Sequence, residues 1–154
     1  MKKKQGFFYL VMALWFVLDQ ISKYTLMEKD RVLIPGIVHL TTAYNEGVAM
    51  SMFSGAGVLL PIITGVIILG GMVLVHRYAK GWLPLLSCGM ILGGAVGNLI
   101  DRCLLGYVID LFEFVFVDFY IFNVADIGIT VGAVLCGISL VFFEKRDWRT
   151  KENP

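Results

Sequence analysis

The chain has 154 residues, of which 58% are hydrophobic, and its mean hydropathy is +0.79. A soluble domain of this length could not cover so much apolar surface with polar side chains, so the composition indicates a membrane protein with room for about four spans. The formal net charge of +1 excludes the strongly basic composition that is typical of nucleic-acid binding.

Four apolar runs follow one another along the chain, and each is long enough to cross a bilayer as a helix. The first, about 7–25, follows three lysines and resembles a signal peptide, but no small-residue cleavage site comes after it, so we expect a retained span. The others lie at about 58–75, 82–100 and 124–143. The pattern predicts an all-α integral membrane protein with four transmembrane helices in a single domain, 1–154.

Basic residues are distributed unequally between the two ends of these spans. Four lie at one end, and the other end carries nine: Lys2, Lys3, Lys4, Arg77, Lys80, Lys145, Arg146, Arg149 and Lys151. Because cytoplasmic loops carry the excess of Lys and Arg, we predict that both termini are cytoplasmic. Most acidic residues lie at the opposite ends of the spans, so any chemistry should be near the outer face.

The connections on the outer side also have recognisable patterns. Residues of about 31–55 alternate β-branched and polar side chains around Pro35-Gly36 and Asn45-Glu46-Gly47, which predicts a small extracytoplasmic β-sheet. Residues 101–123 are expected to form an outer loop, with "FEFVFVDFY" as a loop or hairpin. Its aromatic residues fit an interfacial belt better than a substrate gate: they are Phe112, Phe114, Phe116, Phe119, Tyr120 and Phe122.

Several polar residues near the outer ends of spans have neighbours that could neutralise or brace them. Asp19 and Lys23 are four residues apart and share one helix face, so they can form an ion pair. In "GGAVGNLIDR", Gly93 and Gly97 form a small-residue surface for close helix packing. The polar residues after them are expected on one face, with Arg102 available to Asp101 or to a carboxylate on a neighbouring helix: Asn98, Asp101 and Arg102.

Two acids near the membrane have no basic partner close in sequence, namely Asp110 in "VIDLF" and Asp126 in "FNVAD". Two carboxyls that share one proton can activate a water between them, which is aspartic peptidase chemistry. Asn123 could donate an amide hydrogen bond to substrate or to a carboxyl, or simply cap the fourth helix. Spacing alone leaves a proton relay or an ion pathway equally open.

Other chemistries have little support in the sequence. Cys88, Cys103 and Cys136 lack the spacing of a zinc or redox site, so we interpret them as apolar fillers. The adjacent pair Ser22 and Lys23 would point about 100° apart on a helix and could not act together. No HExxH motif is present, and no metal or organic cofactor is implied.

Five motifs occur in a fixed order along the chain. They are "DQISK" at 19–23, "NEGVAMSMF" at 45–53, "GGAVGNLIDR" at 93–102, "VIDLF" at 108–112 and "FNVAD" at 122–126. Together with the four-span layout they closely resemble the lipoprotein signal peptidase (signal peptidase II) family, and the resemblance covers nearly the whole chain.

The resemblance implies an aspartic intramembrane endopeptidase that removes the signal peptide from diacylglyceryl-modified bacterial prolipoproteins. Such an enzyme acts in the cytoplasmic membrane, in contact with membrane lipid, and we expect a monomer. The family's catalytic pair maps onto Asp110 and Asp126. The residues expected to line and brace the site are Asp19, Lys23, Asn45, Gly47, Asn98, Asp101, Arg102 and Asn123. The segment predicted as a sheet would be the family's cradle of short strands.

Two positions depart from the family pattern, since Met50 replaces a common aromatic and Leu111 replaces a common Phe. Both remain apolar, so the departures concern the substrate pocket and not the reaction. The alternative from another class is a small proton- or ion-coupled transporter or channel subunit that uses Asp19, Asp110 and Asp126. Such a protein would be expected to contain internal repeats, and none is visible in the sequence.

Overall fold

The computed structural model describes residues 2–47 and 58–148, and most of this length is helical. Four helices, α1 (Lys2–Leu26), α2 (Leu59–Tyr78), α3 (Trp82–Leu104) and α4 (Val124–Asp147), are each long and apolar enough to cross a membrane. The predicted all-α membrane fold with four long apolar helices is therefore confirmed. α1 and α4 extend beyond the apolar runs into polar residues, and α4 is kinked at Phe143, whose φ of −132° and ψ of 18° are not helical.

α3 lies at the centre of the bundle and packs against the other three helices. Glycines on α3 let its neighbours approach closely: a Cβ at Gly93 would collide with the backbone of Met12 on α1, and one at Gly97 would overlap the Asp19 carboxylate. This confirms the small-residue surface predicted for this helix. The close packing brings the polar C-terminal part of α1 directly against α3.

A three-stranded antiparallel sheet lies at the end of the bundle where α1 and α3 end and α4 begins, in the order β1 (Arg31–Ile34), β2 (Val38–Asn45), β3 (Val108–Phe114). β1 and β2 form a hairpin whose turn contains Gly36 at a φ of +72°, a conformation that glycine adopts without strain. Residues 48–57, including Met50 and the end of the predicted sheet, lie outside the described residues.

The third strand is a correction to the sequence analysis, which assigned all of 101–123 to an outer loop. β3 pairs with β2 over its length, with Ala43 opposite Asp110 and Asn45 opposite Val108. Ile109 and Leu111 pack with Leu40 of β2 into an apolar cluster, and Leu26 and Met27 at the end of α1 lie against it. The segment pairs as a strand because this pairing buries its apolar side chains in the cluster.

The chain after β3 returns to the sheet before α4 begins. Phe122 accepts hydrogen bonds from the backbone N–H groups of Leu111 and Phe112 at 2.9 and 2.8 Å, and its own N–H donates to Phe112 at 2.9 Å. The excursion between them carries stacked aromatic rings, including Phe119 on Tyr120 with centroids 4.1 Å apart. This closure places Asn123, the residue before α4, beside β3.

Candidate active site

Asp110 lies in the middle of β3 and is almost fully buried, with 3% of its surface exposed. Two side-chain amides hydrogen-bond to its carboxylate. Asn45 at the end of β2 donates to Oδ2 at 3.0 Å, and Asn123 donates to Oδ1 at 2.7 Å. Because β2 and β3 are paired and Phe122 is tied to β3, the sheet itself holds both amides against this acid.

Asp126 lies in the first turn of α4, where it forms a reciprocal capping box with Asn123. The Asn123 side chain accepts from the Asp126 N–H at 3.0 Å, while the Asn123 N–H donates to Asp126 Oδ2 at 3.1 Å. The other oxygen, Oδ1, accepts from Asn98 of α3 at 3.0 Å. The capping role considered for Asn123 is therefore present, and the same residue also contacts Asp110, so capping and site functions coexist.

Both acids line one cavity of about 270 Å³ between the sheet, the end of α3 and the start of α4. Its apolar lining includes Ala95, Val108 and Ile129. The polar residues that line it are Asn45, Thr64, Asn98, Arg102, Asp110, Tyr120 and Asp126. A concave space in which polar side chains converge beside apolar ones is typical of a ligand-binding site.

Asp110 has an ionisation behaviour that suits proton transfer near neutral pH. Burial, supported by the nearby charge of Asp126 and opposed by the amide hydrogen bonds from Asn45 and Asn123, raises the pKa of Asp110 to about 6. The hydroxyl of Tyr120 also has a raised pKa, mainly through burial and then through the charges of Asp126 and Asp110. Asp110 and Asp126 are thus close enough to influence each other electrostatically.

Lys23 is the centre of a buried ionic network beneath these acids. Its Nζ lies 2.8 Å from Asp19 Oδ2 and 2.7 Å from Asp101 Oδ2, and it donates to Asn98 Oδ1 at 3.1 Å. The predicted Asp19–Lys23 pair is confirmed. The contact with Asn98 fixes the orientation of that amide, because its oxygen faces the ammonium and its nitrogen must then face Asp126.

Asp19 and Asp101 connect this network to the surrounding elements. Asp19 Oδ1 accepts from the Ala125 N–H at 2.9 Å, so a side chain of α1 satisfies one of the free donors at the start of α4. Asp101 Oδ2 accepts from the Ile109 N–H of β3 at 3.3 Å. The two acids therefore join α1 and α3 to the two elements that carry Asp126 and Asp110.

Arg102 has a different partner from those considered in the sequence analysis. Within the described part of the chain it forms no ion pair, and Asp101 pairs with Lys23 instead. Arg102 Nη2 donates to the Gly47 carbonyl at 2.6 Å, and the Gly47 N–H donates to Asn45 Oδ1 at 2.9 Å. Its buried Nε has no partner among the described residues. The guanidinium thus anchors the end of β2 at the cavity.

The structure brings all ten of the predicted site residues into this one region, through the cavity or the network beneath it. Two further polar residues contribute more than the sequence indicated. Gln20 donates to Asp101 Oδ1 at 3.0 Å and to Asp19 Oδ2 at 3.2 Å, and its position beside Asp19 was the available signal. Tyr120 lines the cavity, and nothing in its aromatic-rich segment distinguished it from its neighbours.

The aromatic segment itself is partly turned toward the site. Phe114, Phe119 and Phe122 pack on one another and, with Tyr120 and Asp126, line a second cavity of about 230 Å³. In contrast, Phe116 is 65% exposed. These rings therefore divide into a cluster beside Asp126 and outward residues suited to the membrane interface.

Known proteins resemble this chain in both sequence and structure. A family model described as signal peptidase (SPase) II matches residues 11–142. The lipoprotein signal peptidase of Lactobacillus gasseri is 38% identical over 154 residues, which cover 96% of this chain and 100% of that relative. The corresponding protein of Microcystis aeruginosa is 36% identical over 90% of this chain and 94% of its own length.

A solved structure described as a bacterial membrane enzyme superposes with a TM-score of 0.82 at 30% sequence identity, over 88% of each chain. A second, described in the same way, gives a TM-score of 0.81 at 29% identity, over 90% of this chain and 94% of that one. The resemblance read from the five motifs is therefore confirmed in sequence and in fold. The chain belongs to the signal peptidase II family.

Proposed function

We propose that this protein is an aspartic endopeptidase that removes the signal peptide from diacylglyceryl-modified prolipoproteins and cuts before the lipidated cysteine. Its relatives are named lipoprotein signal peptidases, and the transporter alternative has no support among them. Its membership of the signal peptidase II family and its four helices, each long and apolar enough to cross a membrane, together indicate a multi-pass protein of the bacterial inner membrane. The single observation that supports the aspartic mechanism is that Asp110 and Asp126 line one cavity and are bridged by Asn123.

In the proposed reaction, the two carboxyls share one proton and hold a water between them. The ionised carboxylate removes a proton from the water as its oxygen attacks the scissile carbonyl carbon, while the protonated carboxyl donates its proton to the carbonyl oxygen. Collapse of the tetrahedral gem-diol breaks the C–N bond: the amine nitrogen takes up the proton that the base received, and one hydroxyl of the gem-diol returns a proton to the carboxylate that acted as acid, which restores the one-proton pair. The acid and base belong to the coupled pair, so neither role is assigned to one residue.

The surrounding amides have a defined part in this mechanism. Asn45 and Asn123 donate to the Asp110 carboxyl, and Asn98 donates to the Asp126 carboxyl, so the three amides fix the planes of the two acids. Lys23 and Asp19 hold Asn98 and the start of α4 in place. Such a supporting network keeps reacting groups within the narrow range of geometries that catalysis needs.

The location of the cavity suits a substrate that stays in the membrane. The site lies where the apolar helices meet the sheet, so a lipidated peptide can keep its acyl chains in the bilayer while its scissile bond reaches the acids. We propose that this end faces the extracytoplasmic side, that both termini are cytoplasmic, and that the four helices and sheet act as one peptidase domain. We also propose a monomer, because both acids, their amide donors and the ionic network all belong to the described residues of one chain.

The proposal is tested by cleavage of a diacylglyceryl-modified prolipoprotein by purified protein in detergent, followed by gel shift. We expect Asp110→Asn and Asp126→Asn each to reduce turnover by at least about a thousandfold while leaving the protein folded, because each removes an acid that no neighbour can replace. Asp118→Asn is the matched control, since Asp118 is an exposed acid in the same segment. Near-normal turnover in either dyad variant would contradict the assignment of that residue.

A further inference from the structure

The smaller cavity of about 230 Å³ beside Asp126, here called the aromatic cavity, has no part in the proposed reaction. One of its walls belongs to α4 and consists of Ile127, Thr130 and Val131. The opposite wall is built by rings from the end of β3 and the segment after it: Phe114, Phe119, Tyr120 and Phe122. Among the described residues that line it, Asp126 is the only acid. The aromatic cavity is therefore an apolar space that touches one member of the proposed dyad.

The aromatic cavity and the larger cavity that holds Asp110 meet at two residues. Asp126 and Tyr120 line both of them. Tyr120 is held at this junction because its ring stacks on Phe119, with centroids 4.1 Å apart, and Phe119 packs edge-on against Phe122. Phe122 is in turn hydrogen-bonded to β3. A group bound at the acids can therefore extend past Tyr120 into the aromatic cavity.

α4 extends this apolar space toward the middle of the membrane. Ile127 and Val131 line the aromatic cavity, and Val134 and Ile138 follow them at helical spacing on the same face. All four side chains are exposed on the surface of the described structure. Because α4 is long and apolar enough to span a bilayer, this face forms a track from Asp126 into the hydrocarbon region.

The hydroxyl of Tyr120 is a polar group at the same junction. It forms no hydrogen bond with any described residue. Burial, and then the charges of Asp126 and Asp110, raise its pKa, so the hydroxyl stays protonated and can donate a hydrogen bond. The amide network that orients the two acids does not include it. A ligand that passes the junction would thus meet one free donor before it enters the apolar space.

We propose that the aromatic cavity binds the start of one acyl chain of the substrate's diacylglyceryl group, while the Tyr120 hydroxyl donates to the carbonyl oxygen of that chain's ester. This inference rests on the proposed function. The lipid is attached to the cysteine whose nitrogen belongs to the scissile bond, so it leaves the peptide within a few bonds of the acids. The aromatic cavity begins at Asp126, is apolar and continues to the membrane-facing surface, which is the environment that an acyl chain requires.

The first test is steady-state cleavage of synthetic prolipoproteins whose glyceryl group carries either palmitoyl or acetyl esters. Thr130→Phe would fill the aromatic cavity from α4, at a residue that does not line the cavity of the dyad. We expect it to raise KM for the palmitoyl substrate at least about tenfold more than KM for the acetyl substrate. Thr25→Phe is the matched control, because Thr25 is an exposed threonine of α1 outside both cavities, and it should change neither value.

Tyr120→Phe tests the hydroxyl separately, because the variant keeps the stacked ring. We expect KM for the palmitoyl substrate to rise about fivefold, as for the loss of one hydrogen bond. An analogue whose chains are joined to glycerol by ether bonds has no ester carbonyl, so its KM should be the same in Tyr120→Phe and in the unaltered chain. An equal rise for the ester and ether substrates would contradict the hydrogen bond to the ester.

The unaltered chain separates this inference from the proposed function. If it cleaves no lipidated substrate, the proposed function is wrong and the acyl site is overturned with it. If it cleaves the palmitoyl substrate, but Thr130→Phe raises KM equally for both chain lengths, the cavity binds part of the peptide and only the acyl site is overturned. If Thr130→Phe does not fold, a substrate with a photoreactive diazirine at the start of its acyl chain decides the question. We expect it to label Phe119, Thr130 or Val131, and labelling confined to α2 would overturn the proposal.

Discussion

At the residue scale, Asp110 determines how activity should depend on pH. Burial raises its pKa from 3.8 to about 6, so the proton that the dyad needs is retained below about 6 and is lost as pH rises through that value. We expect kcat/KM to fall on the alkaline side with an apparent pKa of about 6, a value to which the charge of Asp126 contributes. Initial cleavage rates between pH 5 and about 9 measure this limb. A rate that still climbs at the alkaline end of the range would exclude a shared-proton pair.

A second prediction concerns Lys23, whose single ammonium group forms salt bridges with two buried carboxylates. Lys23→Met would leave Asp19 and Asp101 without a cation, and breaking such a buried arrangement costs about 3–5 kcal/mol. We expect a large drop in thermal stability in detergent. We also expect turnover per folded molecule to fall, since Asn98 would no longer be oriented toward Asp126. Lys29→Met, at an exposed position just after α1, should change neither. Normal turnover in Lys23→Met would show that the orientation of Asn98 does not matter.

At the scale of elements, the contact of α1 with α3 depends on the absence of a side chain at Gly97. Gly97→Ala would place a methyl group against the Asp19 carboxylate, and relief of the overlap would move Asp19 away from Ala125 and Lys23. We expect a loss of about 1–3 kcal/mol in stability, together with reduced cleavage.

The matched control for this prediction is Gly137→Ala on α4, where an added Cβ meets no atom within 4 Å. That variant should be as stable as the unaltered chain or slightly more so, because alanine favours helix. Thermal unfolding of both proteins in the same detergent provides the comparison. Equal stability of the two alanine variants would mean that α1 can move aside without cost.

The elements also show which features of this fold are readable from sequence. The length of each apolar run predicts a membrane-spanning helix, and the i, i+4 spacing of Asp19 and Lys23 predicts their ion pair. Both features are readable because they depend only on residues close together in the sequence. β3 was missed because its partner, β2, lies more than sixty residues away, and a strand needs that partner. The pairing of Lys23 with Asp101, in place of Arg102, likewise depends on how α1 packs on α3.

At the scale of the whole molecule, charge and chemistry occupy opposite ends of the bundle. The end formed by the start of α1 and the end of α4 holds Lys4 and Lys80, while the other end holds the sheet and the acids. Four helices of 20 to 25 residues separate the two by about one bilayer thickness. A substrate that reaches the acids must therefore approach from the membrane leaflet next to the sheet.

This polarity predicts the orientation of the chain in the membrane. We expect alkaline phosphatase to be active when fused after Gly106, which follows three helices, and inactive when fused after Lys80 or after the last residue, Pro154. A green fluorescent protein at the C-terminus should fluoresce, because it folds on the cytoplasmic side. The reverse pattern would place Asp110 and Asp126 next to the cytoplasm, where an exported prolipoprotein does not present its cleavage site, and would contradict both the orientation and the proposed substrate. Agreement of all three fusions would leave the sheet and its two acids on the side to which the signal peptide delivers the lipoprotein.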